Sequence, residues 1–593
     1  MCTSAEDQVV DVATRIDWER PLARKELLKY AGMLGVGSVG ASMLSACAPL
    51  AQLAGAPQGA PPPPPLAKYI VIFVVDACRA DYLTYTHLPN ISALMARGTT
   101  YEHAWVGMLE SITPACHATI GTGMFPRNDG GIVGFWWENP STHQELYGAG
   151  NIFVDPPGAA AAAGEIAKVI RRSGAPTLAG LLKDVDPTAK VYAGSGQKFY
   201  AAAAAGGPDA DYLTYFWNHG SVAGKNDPSY GPVCIPGYEI PADILRDPRF
   251  QQPDWKFQVF SKPGVQDGMV VELASAVIKR ERPRVVILNL PEMDYPVAHL
   301  DGGPASPAKV KVIMENADRR LGELVALYRE LGILDQTVFA FLGDHGVVPM
   351  QQMVDREPIA VAVANAGTSI VSWEYDTGEF VWLEDSTKAL KTATFIDDSK
   401  MPGVAAVYFL GSTGSGPTYL PSPATASSLH PTMDLVYRYL LSTMAGPAGP
   451  HVVVLYPERT GTQGAGGAQN WIGDHGGASW GVQAVPMILA GPGIRNGYRS
   501  SFPARLVDLT PTLVRLLGLG YPNLDGVVLA DAFRSSQPAE RTAQNLLGRQ
   551  LVPLTTALRR QSALEARELE RRKPFKQSQS HSKNKHISGI PNY

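Results

Sequence analysis

The sequence predicts an α/β fold of the doubly wound kind, a mostly parallel sheet flanked by helices, and three observations carry that expectation. Long apolar runs recur at Tyr69–Val75, Val285–Leu290, Val338–Leu342 and Val485–Ala490. Continuous hydrophobicity, as opposed to alternation, marks strands covered on both faces. Three of the runs end in polar residues: Asp76; Pro291-Glu292-Met293-Asp294 with His299 and Asp301 close behind; and Gly343-Asp344-His345-Gly346. The fourth leads into Gly491-Pro492-Gly493 and is preceded by the loop Gly473-Asp474-His475-Gly476. Between the second and third runs Val310, Ile313, Ala317, Leu321, Leu324 and Tyr328 recur at spacings of three and four, the stripe of an amphipathic helix. Strand, helix, strand with chemistry at the strand C-termini is the doubly wound arrangement, which binds ligands at that edge.

In chain order, the first segment reads as an export leader. Arg24, Lys25 and Lys29 precede a weakly apolar, Gly/Ala/Ser-rich stretch from Tyr30 to Ala46, too short and too Gly-rich for a membrane span. Leu44-Ser45-Ala46-Cys47 resembles a bacterial lipoprotein cleavage box. Arg24-Lys25 resembles a twin-arginine signal with Lys25 at the second arginine, so the export route stays open. Residues 48–66, with five prolines from Pro61 to Pro65, form an Ala/Pro-rich linker that behaves as an extended spacer. The expectation is a bacterial lipoprotein, exported to the periplasm or cell surface and tied to the membrane through a lipid on Cys47.

The bulk composition excludes several classes. The 593 residues carry 51 Lys and Arg against 55 Asp and Glu, a formal charge of −4, which leaves no global footprint for nucleic acid. Five cysteines cannot staple so long a chain, and an apolar share of 45% is that of an ordinary folded protein.

Asp and His at several strand ends are the residue types a carboxylate/imidazole metal centre needs, and paired metals clamp both the attacking and the leaving oxygen in phosphoryl transfer. Between the first two runs lies Glu110-Ser111-Ile112-Thr113-Pro114-Ala115-Cys116-His117, continuing to Thr122-Gly123. A Thr hydroxyl beside two metals is activated without a histidine base. Thr followed by Pro also starts helices, and a helix starting there would turn free N–H groups toward a phosphate.

These segments together resemble the alkaline phosphatase superfamily, and within it the type I phosphodiesterase/nucleotide pyrophosphatase group and its threonine-nucleophile phosphatase relatives. The resemblance rests on Asp76-Ala-Cys-Arg-Ala-Asp81, Leu88-Pro-Asn-Ile-Ser-Ala-Leu94, Thr113–Gly123, Asp294 to His299, Asp344-His345-Gly346, His475-Gly476 and Leu506–Thr512 with Asp525-Gly526, all in order between about residues 69 and 530. It implies an alkaline-phosphatase-like core spanning 67–545 and a small-molecule phosphoester substrate such as a nucleotide. It also implies two divalent ions, zinc by preference. Asp76, Asp344 and His345 would hold one ion, Asp294, His299 and His475 the other, with Thr113 as nucleophile. Sulfatases put a Cys or Ser at the Thr113 position with Pro and Arg two and four residues on; Ala115 and His117 stand there instead.

Three departures qualify the resemblance. Relatives carry a phosphate-binding Asn after a Gly-Ile-x-Gly turn; here Gly131-Ile-Val-Gly134 runs into Phe135-Trp136-Trp137, leaving Asn128 or Asn139 as stand-ins and Phe135 as a stacking surface. Asp294 and His299 are separated by four residues where relatives have three, which calls for a one-residue bulge. Lys198 matches a phosphate-binding Lys of the monoesterases, but Tyr200 stands where their Arg would be. Without that bidentate fork a phosphate dianion is held less firmly, which favours a diester or pyrophosphate substrate over a monoester. A non-catalytic metal- or phosphate-binding surface lipoprotein is the remaining alternative.

The stretches 135–280 and 351–460 lack motifs and read as cap insertions. The runs Ala159–Ala163 and Ala201–Ala205 read as helix packing. Residues 546–593 read as a solvated charged helix and a free tail. The pairing of Cys78, Cys116 and Cys234 and the oligomeric state are left open by the sequence.

Overall fold

The computed structural model describes residues 63–128, 132–134, 156–217, 231–250, 263–462, 471–520 and 523–571, with side chains of the helix at 156–173 described from residue 162. The leader with Cys47, most of the linker, the aromatic triplet at Phe135, Asn139 and the tail after residue 571 lie outside the described residues.

Among the described residues, fourteen strands build the two large sheets. They are β1 (Tyr69–Val75), β2 (Gly98–Tyr101), β3 (Val191–Ser195), β4 (Tyr212–Trp217), β5 (Gly231–Cys234), β6 (Val285–Leu290) and β7 (Thr337–Gly343), then β8 (Ile370–Tyr375), β9 (Gly378–Leu383), β10 (Ala406–Thr413), β11 (Gly416–Pro421), β12 (Val452–Leu455), β13 (Met487–Ala490) and β14 (Tyr498–Ser500). The helices that matter for the site are α1 (Thr113–Thr122), α2 (Phe199–Gly206), α3 (Val265–Glu281), α4 (Pro307–Glu330), α5 (Pro431–Ser442), α6 (Leu509–Leu517) and α7 (Pro538–Arg571).

The central sheet runs β14-β2-β13-β7-β1-β6-β3-β4-β5. All seven residues of β1 are buried, as the continuous run requires. Alternate side chains feed two cores: Ile70, Ile72 and Val74 share one with α1, α2 and α6, while Val71, Phe73 and Val75 share the other with α3 and α4. Registry then sets the site. β1 pairs in parallel with β6 and β7 so that Val75 faces Leu290 on one side and Gly343 on the other. Asp76, the Pro291 turn and Asp344 therefore leave the sheet at one level.

Two expectations are corrected here. The apolar run at 485–490 does not repeat the parallel grammar: β13 is antiparallel to β7, Met487 facing Leu342. Its N-terminal end thus lies at the active edge, and the loop before it delivers His475 there. The stretch expected as a first cap supplies β3, β4 and β5 of the central sheet, together with α2. All of α2 is buried, and a Cβ on Gly121 of α1 would stand 2.4 Å from Ala205 O, so the small-residue run lets two helices touch backbone to backbone.

Residues 370–455 form a second, all-antiparallel sheet in the order β8-β9-β12-β10-β11. One of its faces packs Val381, Val407 and Val454 on the helices at 357–366 and 389–399; the other packs Phe380, Tyr408 and Val453 near α5 and α7. The charged C-terminal helix is longer than expected and is not merely solvated, because Leu547, Leu551 and Leu558 form a buried stripe along it. Cys78, Cys116 and Cys234 are free thiols.

Candidate active site

Three strand ends and one loop converge on the Thr113 hydroxyl. Thr113 is the first residue of α1, followed by Pro114, and is buried at 1% exposure. Its Oγ1 lies 3.0 Å from Lys198 Nζ, 3.2 Å from His345 Nε2 and 3.4 Å from Asp76 Oδ1. Around it stand two sets of three side chains whose ligand atoms lie within 4.8 Å of one another: Asp76, Asp344 and His345, and Asp294, His299 and His475. All six are buried.

The extra residue between Asp294 and His299 is absorbed by a wide turn. Tyr295 adopts an extended conformation (φ −126°, ψ 118°) within the helical turns from Met293 to Ala298. His299 Nε2 consequently reaches to 3.4 Å from Asp294 Oδ1, with His475 Nε2 at 3.3 Å from the same oxygen.

Hydrogen bonds orient the rings. His345 Nδ1 donates to Gly346 O at 3.1 Å and His299 Nδ1 to Gly473 O at 3.2 Å, which leaves each Nε2 as a lone pair aimed at a carboxylate oxygen. Asp294 Oδ1 and Asp344 Oδ2 are buried without a hydrogen-bond partner. Lone pairs that face one another at 3.3–3.5 Å without a proton between them are a set of donors for a cation, so the residues present fit divalent metal ions.

Electrostatics divide the rings: burial opposes the charged form of His299, but Asp294 and then Asp474 overcome it and raise that imidazole, so an ion bound there displaces its proton. Burial pushes the His345 and His475 imidazoles below their usual range, which keeps them neutral and able to coordinate. Burial, with Asp76 next in weight, raises the Asp344 carboxyl to about 7. Burial also acts to raise Asp294, but Lys198 and then His299 overcome it and hold that carboxyl well below the usual range.

Lys198 is the central cation. It is buried at 3% exposure, and its Nζ donates to Asp294 Oδ2 at 2.7 Å and to Asp76 Oδ1 at 2.9 Å besides Thr113. Asn128 is not brought to this group; past the C-terminal end of α1, it donates to Asp525 Oδ2 at 2.8 Å.

Two positioning residues have no counterpart among the sequence expectations. Asn289, the one polar residue of β6, donates to Asp76 Oδ2 at 2.7 Å and accepts from Ser195 Oγ at 2.8 Å. His117, one turn after Thr113, donates from Nδ1 to Thr113 O at 2.9 Å while its Nε2 lies 3.2 Å from Asn289 Nδ2. A polar residue inside a fully buried strand, and a His four residues after the candidate nucleophile, were the available signals.

A mostly parallel α/β sheet whose C-terminal edge gathers two Asp/His sets about a Thr hydroxyl defines a phosphoester hydrolase with an alkaline-phosphatase-like fold. More narrowly, the chain belongs to the type I phosphodiesterase / nucleotide pyrophosphatase family, which matches residues 70–394. Among solved structures, murine ectonucleotide pyrophosphatase / phosphodiesterase 5 is 14% identical with a TM-score of 0.51, the match covering 77% of this chain and 96% of that one. An inactive variant of the same murine protein in complex with AMP matches at 14% identity over the same shares of the two chains, with a TM-score of 0.50. The alkaline phosphatase PafA is 16% identical with a TM-score of 0.58, over 79% of this chain and all of that one. At these identities the likeness is one of fold. No curated protein sequence matches the chain significantly.

Proposed function

We propose that the protein is a metal-dependent phosphodiesterase or nucleotide pyrophosphatase that works through a phosphorylated Thr113. The observation that carries this reading is the position of Thr113 Oγ1, within 3.4 Å of Asp76, His345 and Lys198, which together join the two ligand sets. Asp76, Asp344 and His345 would hold one ion and Asp294, His299 and His475 the other, zinc suiting both mixed sets. Bound there, two divalent ions lower the pKa of the attacking hydroxyl and neutralise charge building on the phosphoryl oxygens.

The chain's own residues do the rest. His117 fixes the Thr113 backbone and Asn289 fixes Asp76, so the hydroxyl is held in place before substrate arrives. Attack forms an Oγ1–P bond and expels the leaving oxygen; water then breaks that bond and restores the hydroxyl. Lys198 stays protonated, since Asp294 and Asp76 outweigh the effect of its burial, and it supplies fixed positive charge beside the nucleophile. Thr113 also opens α1, where the helix dipole favours anionic oxygens. The AMP held by the murine relative supports a nucleotide-sized substrate.

A phosphomonoesterase is the second reading, favoured by the same buried Lys198, whose charge suits the dianion of a monoester. Export as a lipoprotein anchored through Cys47 completes the proposal; among the described residues no helix is long and apolar enough to cross a membrane. Replacing Cys47 by Ser is expected to release the protein from the membrane fraction.

The deciding experiment assays bis-p-nitrophenyl phosphate, p-nitrophenyl phosphate and p-nitrophenyl sulfate on metal-loaded protein and on Thr113→Ala. Metal- and Thr113-dependent turnover, fastest on the diester, is expected. Absence of such turnover on both phosphate esters overturns the hydrolase reading, and a faster monoester selects the second one.

A further inference from the structure

His475 belongs to a second group as well. Its ligand atom and those of Asp376 and Asp474 also lie within 4.8 Å of one another. Two glutamates join them. Ser111 and Gly476 exchange backbone hydrogen bonds at 3.2 Å, which lays Glu110 alongside the His475 loop. A Cβ on Gly476 (φ +92°) would stand 3.2 Å from Glu110 Oε1 and 3.0 Å from Asp376 Oδ2, so both carboxylates meet over that glycine. Glu374 closes the group against Gly134, where a Cβ would stand 1.8 Å from Glu374 Oε2. Both glycines leave room that any side chain would fill.

The group is held from the second sheet. Asp376 sits in the turn between β8 and β9, and its neighbour Thr377 clasps the loop: its N–H and Oγ1 donate to His475 O at 2.9 and 2.7 Å, and Gly477 N donates to its Oγ1 at 2.9 Å. Glu110 and Asp474 are fully buried, and Glu374 is 6% exposed. Both carboxylate oxygens of Glu110 and Oδ2 of Asp474 have no hydrogen-bond partner.

After burial, the strongest influences on Glu110 are Glu374, Asp376 and Asp474; those on Asp376 begin with Asp474 and Glu374. Carboxylates thus surround carboxylates. A proton shared between Glu110 and Glu374 relieves one repulsion and leaves Asp376 and Asp474 facing each other. The unpartnered buried oxygens of Glu110 and Asp474, gathered with the half-buried Asp376, are the kind of donor set that a hard, oxygen-seeking dication holds together.

We propose that Glu110, Glu374, Asp376 and Asp474 form a third cation site, for Ca2+ or Mg2+, next to the pair of sets around Thr113. Asp474 links the two regions, because its Oδ1 accepts the His475 N–H at 3.0 Å and lies 3.6 Å from His299 Nδ1. An ion on Asp474 and Asp376 therefore stiffens the loop that presents His475.

The test titrates the full-length protein with Ca2+ and with Mg2+ by calorimetry, with and without two prior equivalents of Zn2+, and follows Tm and bound metal by elemental analysis. One further equivalent of Ca2+ or Mg2+, with zinc content unchanged and Tm raised, is the expected result; the ion that binds more tightly identifies the site's chemistry. Glu110→Gln and Glu374→Gln, made separately, should each weaken that binding at least tenfold and keep the zinc count. No binding of either ion up to about 10 mM, well above the weakest extracellular calcium modules, overturns the proposal and leaves shared protons as the account of the cluster. Binding unchanged in either folded variant overturns it too. If Glu110→Gln does not fold, the wild-type titration and Glu374→Gln decide. Ion stoichiometry and Tm do not depend on turnover, so failure of the hydrolase reading leaves this result standing on its own.

Discussion

Two groups of acids, all buried but the half-buried Asp376, share the His475 loop, and the chain treats them in opposite ways. On the central-sheet side, Asp76 and Asp294 meet the Lys198 ammonium, an Asn289 amide and imidazole rings. On the second-sheet side, Glu110 and Asp376 meet chiefly other carboxylates, Glu374 and Asp474 among them. The consequence is visible in their charge states: Asp294, to which Lys198 donates, is held well below the usual carboxylate range, Asp344, to which it does not, is raised to about 7, and Glu110 and Asp376 are pushed well above their usual range. The comparison teaches that burial alone does not decide ionisation. A fixed cation and oriented donors make a buried carboxylate a permanent anion, ready for chemistry, whereas a cluster without them awaits protons or an ion.

The sharpest way to break this division of labour is at Thr113. If chemistry belongs to the Lys198 side alone, Thr113→Ala should lower kcat on bis-p-nitrophenyl phosphate by at least about 10³-fold with bound metal unchanged. Full activity in that variant would move the chemistry elsewhere.

Next in size is Lys198→Ala. Removing the ammonium leaves Asp76 and Asp294 without their shared donor. Turnover should fall by about 10²-fold, the range for one preorganised electrostatic contact. A larger loss on the monoester than on the diester would show that Lys198 holds the second phosphate charge. Equal losses would assign it to the nucleophile.

Asn289→Ala removes a support and leaves every ligand in place. The expected loss is about 10- to 100-fold in metal affinity, read as the chelator concentration that strips half the ions. His117 should then matter more, since it keeps its bond to Thr113 O and its Nδ1 stays 3.5 Å from Asp344 Oδ2.

How much of this arrangement the chain announces depends on how far apart the cooperating residues lie. Asp76, Asp294 and Asp344 stand at the ends of unbroken apolar runs, and parallel registry is enough to bring such ends to one level. His475 is legible as a motif, but the direction of the strand after it is not, because a buried apolar run reads the same parallel or antiparallel. β3, β4 and β5 carry no chemistry at their ends apart from Lys198, so a stretch that completes the main sheet looks like an insertion. Phe135 and Asn139 stay outside the described residues. Asn128 illustrates the limit of proximity in sequence: ten residues of α1, about 15 Å of helix, separate its neighbourhood from Thr113. Glu110, Glu374, Asp376 and Asp474 come from three distant stretches with no shared spacing, and only tertiary packing unites them.

The smallest effect tests whether a buried acid with neutral donors behaves like either group. Glu379 in β9 accepts from Tyr456 Oη at 2.6 Å and from Trp373 Nε1 at 2.7 Å, and is fully buried. Burial raises its carboxyl from 4.5 to about 8, with Arg356 and the two donors opposing. Between those values the folded chain keeps a proton that the unfolded chain has released, so its contribution to stability is present below 4.5 and is lost as pH rises toward 8. Glu379→Gln mimics the protonated side chain: its carbonyl accepts from Trp373 and its amide donates to Tyr456 Oη. The variant should flatten the fall of Tm across that window by about 2 °C, measured by scanning calorimetry at both ends of it. A variant whose Tm falls as steeply as the wild type would mean that Arg356 already keeps Glu379 ionised, placing it with Asp294 and apart from Glu110.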